Sequence, residues 1–214
     1  MVMPASRRKD VVIANSIIVF GDSITQGGAL PIEQRSNAWI CLVETASNGN
    51  LQLINEGKGG RPTDSLNEFT AMLQQQARPT ALALALGTND SRDVSGQCVP
   101  KAVANLKAMV VAARKAYGEK LPILLIGPPN INKNALGPTR PIADEREANL
   151  RELGLAYEKL AQETGCQFVN LFGVIPAESL TKDGVHPDVR GNEAIANKLL
   201  PALSRLAGIG MKWK

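Results

Sequence analysis

One histidine, His186, occurs in the 214 residues, within Asp183-Gly184-Val185-His186-Pro187 and far downstream of Gly21-Asp22-Ser23. A serine hydroxyl is a weak nucleophile until a base takes its proton, so acyl transfer from Ser23 needs an imidazole and a group that orients it. Only His186 can supply the imidazole. Asp183, three residues earlier on what should be one turn, can reach Nδ1 and hold Nε2 towards Ser23. Pro187 is expected as the first residue of the last helix, which would set the imidazole near a positive helix end and favour the neutral base, while Asp183 would stabilise the imidazolium as it forms; the sequence does not decide between the two. The tetrahedral intermediate needs donors aimed at its oxyanion, and glycine-rich turns present N–H groups without side-chain obstruction. Gly60 is the best-placed backbone candidate, Asn89 offers a side-chain amide, and the N–H of Ser23 is a third donor. Each residue also has a plainer reading when taken singly. Ser23 would cap a helix, His186-Pro187 would start one, and Asp183 and Asn89 would be turn residues.

The elements that must position these groups follow from hydrophobic patterning. Apolar runs of strand length read as Ile17 to Phe20, Leu51 to Asn55, Ala81 to Leu86, Leu121 to Ile126 and Gln167 to Asn170, and their near-continuous hydrophobicity suggests burial on both faces. Helical stripes lie between them: Leu66, Phe69 and Leu73 after a capping-box spacing at Ser65 and Glu68; Val99 to Ala113 before Gly118; Leu150 to Leu160 before Gly165; and Ile195 to Leu206 despite Pro201. Alternation of this kind predicts an α/β chain, a three-layer α/β/α sandwich around a parallel sheet of about five strands, in a single domain over residues 1–214. Such sheets bind ligands beyond the carboxyl ends of their strands. The residues there are polar and glycine-rich: Gly21-Asp22-Ser23, Gly57-Lys58-Gly59-Gly60, Gly87-Thr88-Asn89-Asp90 and Gly127-Pro128-Pro129-Asn130.

Composition narrows the function classes. Lysine and arginine number 24 against 20 acidic residues, the basic ones scattered apart from Arg7-Arg8-Lys9 and Lys212-Trp213-Lys214, and only 4% of residues are aromatic, so no nucleic-acid footprint is present. Cys41, Cys98 and Cys166 are odd in number and widely spaced, which fits neither a disulfide framework nor a cysteine metal knuckle and suits a reducing cytoplasm. A single histidine excludes metal sites built on two or more, and we expect no metal. Ser6-Arg7-Arg8 looks like a twin-arginine start, but Asn15 and Ser16 interrupt the apolar run after it, and cleavage beyond the run would remove the strand that presents Ser23. No stretch has the length of a membrane span. Oligomeric state is left open. Gly57-Lys58-Gly59 is not a dinucleotide fingerprint, because the final glycine is missing and the helix begins only near Ser65. No Gly-x-Ser-x-Gly elbow or phosphate-binding loop occurs. Arg61 reads as a solvated loop arginine, with contact to an anionic substrate as the rival reading.

Four segments, Gly21-Asp22-Ser23-Ile24, Asn55 to Gly60, Gly87-Thr88-Asn89-Asp90 and Asp183-Gly184-Val185-His186, resemble in order and spacing the four blocks of the SGNH hydrolase superfamily, the GDSL-type esterases and lipases. The resemblance spans nearly the whole chain. It implies a flavodoxin-like fold, hydrolysis of acyl esters and thioesters without metal or organic cofactor, Ser23 as nucleophile, Gly60 and Asn89 as oxyanion donors, His186 as base and Asp183 as its partner. Ile24 stands where the name-giving motif has leucine. Gly59 precedes Gly60 where many members have serine, which leaves Gly57 and Gly59 as alternative donors. With no long insertion to form a lid, a small-molecule ester with a short acyl group, acetyl first, is the expected substrate. Thr88, Asn130 and the Asn132 to Ile142 loop are the expected pocket contacts. The rivals are a thioesterase or lysophospholipase for longer chains, acyl transfer to alcohols, and a carbohydrate- or protein-binding module without turnover.

Overall fold

The computed structural model describes residues 12–209. Strands β1 (Val12–Gly21), β2 (Gln52–Gly57), β3 (Arg78–Ala85), β4 (Ile123–Gly127) and β5 (Gln167–Asn170) form one parallel sheet in the order β2-β1-β3-β4-β5. That is the doubly wound, flavodoxin-like order. The helices are α1 (Ser23–Gln26), α2 (Trp39–Ala46), α3 (Leu66–Gln75), α4 (Cys98–Tyr117), α5 (Ala143–Thr164) and α6 (Val189–Leu206).

Strand side chains alternate between two apolar layers, as a period of two requires. Ile17, Val19, Ala83 and Ile126 pack with Trp39 and Val43 of α2 and with Ile195, Leu199 and Leu203 of α6. Ile18, Phe20, Leu84 and Leu125 pack with Phe69 of α3, Leu106 and Met109 of α4, and Leu153 and Tyr157 of α5. All five residues of β4 are buried, which explains why its sequence is unbroken Ile-Leu-Leu-Ile-Gly. Each fully buried aliphatic side chain here contributes roughly 1.5–3 kcal/mol.

Several elements differ from what the patterning predicts. β1 runs from Val12, with Asn15 in a left-handed backbone (φ 56°) and the pairing with β3 slipping between Ile13 and Ile17. The polar Asn15-Ser16 pair thus marks an irregularity inside the strand and not its start. Helix α2 has no counterpart in the predicted stripes; at eight residues, with no side chain capping its start, it is fixed from outside by Asn192 of α6, whose Oδ1 accepts the Trp39 N–H at 3.0 Å. The capping box at Ser65 does not form. Glu68 instead binds Lys58 Nζ at 2.8 Å and Arg61 Nε at 3.2 Å, two charge-assisted bonds in place of one backbone bond. α6 starts at Val189 behind an Asp188 cap, so Pro187 lies outside the helix, paired with Leu180 in an isolated antiparallel bridge. No helix among the described residues is long and apolar enough to cross a membrane. Arg7-Arg8-Lys9 and Lys212-Trp213-Lys214 lie outside the described residues.

Candidate active site

Strand order places the predicted chemistry. β1 has β2 on one side and β3 on the other, so the turns that follow β2 and β3 flank the turn that follows β1. That carboxyl-end crevice is where the sheet changes direction of growth. Ser23 is the first residue of α1, and its neighbour Asp22 caps the helix by accepting the Ile24 N–H at 2.9 Å. As the first helical residue, Ser23 has an N–H without an intrahelical acceptor.

His186 Nε2 lies 2.7 Å from Ser23 Oγ, and His186 Nδ1 lies 2.6 Å from Asp183 Oδ2. The other carboxylate oxygen, Oδ1, accepts from Val185 N–H at 2.8 Å, His186 N–H at 3.0 Å and Thr181 Oγ at 3.0 Å. Burial tends to raise the Asp183 carboxyl, but the His186 N–H, its ring and the Val185 N–H together outweigh that and hold it down at about 2. Asp183 is therefore a carboxylate at any pH where imidazole titrates. An anionic acceptor keeps the ring proton on Nδ1 and leaves Nε2 to accept the serine proton. Because its folded value lies below the ordinary one near 4, Asp183 contributes stability above about pH 4 that is lost as the pH falls towards 2. The segment is locked by Thr181 N–H donating to His186 O at 2.7 Å and Gly184 N–H donating to Thr181 O at 2.9 Å. Asn192 of α6 adds a tie, donating from Nδ2 to Pro187 O at 3.2 Å.

The other two blocks are sewn to each other and to α1. Asn89 Nδ2 donates to Arg61 O at 3.2 Å, and Asp90 accepts the Thr63 N–H and hydroxyl. Asn55 Nδ2 donates to Thr25 O at 3.1 Å, binding the β2 end to α1. Gly57 is confined by close approach: a Cβ there would lie 2.4 Å from the Gln26 nitrogen. Gly60 adopts φ 74°, a conformation glycine enters without strain.

Thr88 and Asn130 sit at the strand ends but direct their polar groups inward. Thr88 is buried and bonds the Asp22 carboxyl. Asn130 donates to Ile175 O at 2.8 Å and accepts from Gly173 and Ile175 N–H, pinning the loop after β5. The 132–142 loop forms two 3-10 turns, the second held by Arg146 of α5, which bridges Ser91 and Thr139. Arg61, expected in solvent, is buried directly after the exposed Lys58-Gly59-Gly60 turn. The signal in the sequence was Glu68 seven residues on, which the capping-box reading assigned elsewhere. Ser23, Ala29, Leu30, His186 and Pro187 flank a small hollow at the surface.

Asp22 carries a pH consequence. Burial pushes its carboxyl up to about 6, against the Ile24 N–H, the Thr88 hydroxyl and His186, with Asp90 adding to the rise. The unfolded carboxyl titrates near 4, so the folded chain holds that proton more tightly and stability falls as pH rises from about 4 through 6. Asp22→Asn keeps an acceptor for the Ile24 N–H without the charge. It is expected to exceed the wild type in stability by about 1–3 kcal/mol above pH 7, the difference shrinking towards zero near pH 4 in urea titrations.

Known proteins resemble this chain in sequence and fold. A GDSL lipase of Mycobacterium tuberculosis is 24% identical over 198 residues, 89% of this chain and 82% of that one. An uncharacterized lipoprotein of Bacillus subtilis is 34% identical over 79 residues, a stretch that is 35% of this chain and 32% of that protein. Among solved structures, a carbohydrate acetylesterase family member from Sinorhizobium meliloti superposes with TM-score 0.75 at 22% identity, covering 91% of this chain and 100% of that one. The Mycobacterium smegmatis aryl esterase gives TM-score 0.75 at 20% identity, covering 90% and 100%. Residues 19–194, from near the end of β1 into α6, match the model of the GDSL-like lipase/acylhydrolase family, and the chain belongs to that family of carboxylic ester hydrolases.

Proposed function

We propose that the chain is a serine esterase that hydrolyses short-chain acyl esters, acetyl foremost, through Ser23, His186 and Asp183. The observation that carries the reading is the 2.7 Å contact of Ser23 Oγ with His186 Nε2, with Nδ1 held by an ionised Asp183. Ser23 Oγ attacks the ester carbonyl as His186 takes its proton. The carbonyl oxygen becomes the oxyanion, received by the N–H of Ser23, the N–H of Gly60 and the Asn89 amide. Collapse breaks the bond to the alkoxide, which leaves with the proton from His186. Water, deprotonated by the same imidazole, then attacks the acyl-enzyme, releasing the acid and restoring Ser23. No step draws on a metal or cofactor. Thr88 and Asn130 act in this reading by fixing Asp22 and the loop after β5, supporting the pocket wall from behind.

The choice of a small acyl group rests on the sequence, which carries no long insertion that could form a lid over Ser23. Names of similar proteins, an acetylesterase family member and an aryl esterase, agree with that choice. Across p-nitrophenyl acetate, octanoate and palmitate, kcat/KM is expected to fall by about 100-fold or more from the first to the second. Preference for octanoyl or palmitoyl groups, as esters or thioesters, would replace this reading with the long-chain one. Analysis of products with added alcohol separates hydrolysis from acyl transfer, and absence of turnover on every ester would point to a binding module. We place the enzyme in the cytoplasm on its three free cysteines, of which Cys98 is buried with its thiol pushed up to about 12 by desolvation first and nearby acidic groups second. Cell fractionation tests that placement.

A further inference from the structure

Arg61 takes no part in the proton transfers above, yet its side chain is 7% exposed and held on every side. Nη1 donates to Gly21 O at 2.8 Å and also to Glu56 O, so one nitrogen joins the carboxyl ends of two neighbouring strands. Nε reaches Glu68 of α3 at 3.2 Å, and the guanidinium carbon lies 3.9 Å from the centre of the Phe20 ring. Phe20 is itself braced edge-on by Phe69 at 5.0 Å. The Gly21 carbonyl also accepts the Lys58 N–H at 3.1 Å, so the same point fixes both ends of the turn.

The turn needs such an anchor. Lys58, Gly59 and Gly60 are exposed, and two of the three are glycine, whose backbone is the least restrained by its own sterics. Arg61 is the first buried residue after them. Its carbonyl accepts one proton of the Asn89 amide at 3.2 Å, which orients that amide and leaves its second N–H for a ligand oxygen. The peptide joining Gly60 to Arg61 therefore sits between both non-serine donors.

We propose that Arg61 is a positioning residue for the oxyanion hole: by clamping the ends of β1 and β2 it fixes the Gly60–Arg61 peptide, and through it the Gly60 N–H and the Asn89 amide. The proposal rests on Ser23 being the nucleophile. Lysine cannot replace arginine here, because a single ammonium cannot span two carbonyls and a carboxylate while lying flat on a ring.

The test measures kcat per active site for Arg61→Lys and Arg61→Met, alone and combined with Asn89→Ala, with sites counted by titration to completion with a fluorophosphonate. Each Arg61 variant is expected to lose about 10–100-fold in kcat with KM changed less than about threefold, because the lost interactions form in the transition state. The loss should be at least about threefold smaller when Asn89 is already alanine, since two residues serving one function do not add. Arg61→Lys keeps the charge and the stem over Phe20, so it folds even where Arg61→Met does not. A role confined to stability would lower the number of titratable sites and the melting temperature while kcat per site stays at the wild-type value, and that result overturns the proposal. So do losses that simply multiply in the double variants. Full activity in Ser23→Ala would instead sink the underlying nucleophile reading, which keeps the two failures distinct.

Discussion

Replacing Ser23 or His186 by alanine is expected to lower kcat about 10⁴-fold or more, each to a similar residual rate, because members of a nucleophile–base unit fail together. The Oγ–Nε2 contact at 2.7 Å leaves no room for an intervening water, so the proton passes directly and either deletion stops it. His186 is the one imidazole in the chain, and no neighbour can substitute. The fold should tolerate both changes. Asp22 and not Ser23 caps α1, and the segment carrying His186 is held by backbone bonds around Thr181 that do not involve the ring. Circular dichroism and melting temperature should stay near the wild type while p-nitrophenyl acetate turnover disappears. Wild-type-like turnover in either variant would sink the mechanism.

Asp183→Asn is expected to be nearly as damaging, about 10³–10⁴-fold in kcat, and worse than Asp183→Ala. The ordering follows from the donors around the carboxylate. Three groups, the N–H of Val185, the N–H of His186 and the Thr181 hydroxyl, converge on Oδ1. An asparagine must present its oxygen to those N–H groups, which turns its NH₂ towards His186 Nδ1. The ring then accepts at Nδ1 and carries its proton on Nε2, facing Ser23 with a donor where an acceptor is needed. Alanine removes the orienting group but leaves the tautomer free, so part of the population can still act as a base. Steady-state rates of the two variants decide the matter, and equal or reversed losses would count against the tautomer argument. In the wild type, Asp183 is held ionised down to about pH 2, so its own protonation does not limit activity on mild acidification.

The layer architecture was legible because burial on both faces leaves an unbroken apolar run in an inner strand such as β4; the edge strands β2 and β5 are only partly buried, against the expectation for all five, yet β5 falls at the predicted residues Gln167–Asn170. Helix α2 was not, since its buried face, Trp39, Ile40 and Val43, is too short to show a period and its start is supplied by Asn192, 153 positions away. Ser65 and Glu68 have the spacing of a cap, but a carboxylate offered two cations binds them first. Thr88 and Asn130 were visible as polar residues at strand ends, whereas the direction of their side chains depends on partners, Asp22 and Ile175, that no local pattern reveals.

By itself, the sequence determined which groups were available for chemistry: one imidazole, a serine after a buried strand, an aspartate three residues from the histidine and glycine-rich turns at the strand ends. Types and short spacings are local properties and can be read directly. Only the tertiary structure decided how far apart these groups lie, because Ser23 and His186 are separated by 163 positions and meet through the sheet order and the docking of α6. It likewise decided that Arg61 lies inside, since two strand-end carbonyls, a carboxylate and an aromatic face come together there only when β1, β2 and α3 have packed. A charge is buried where the fold supplies partners for it, and the chain order does not say where that is.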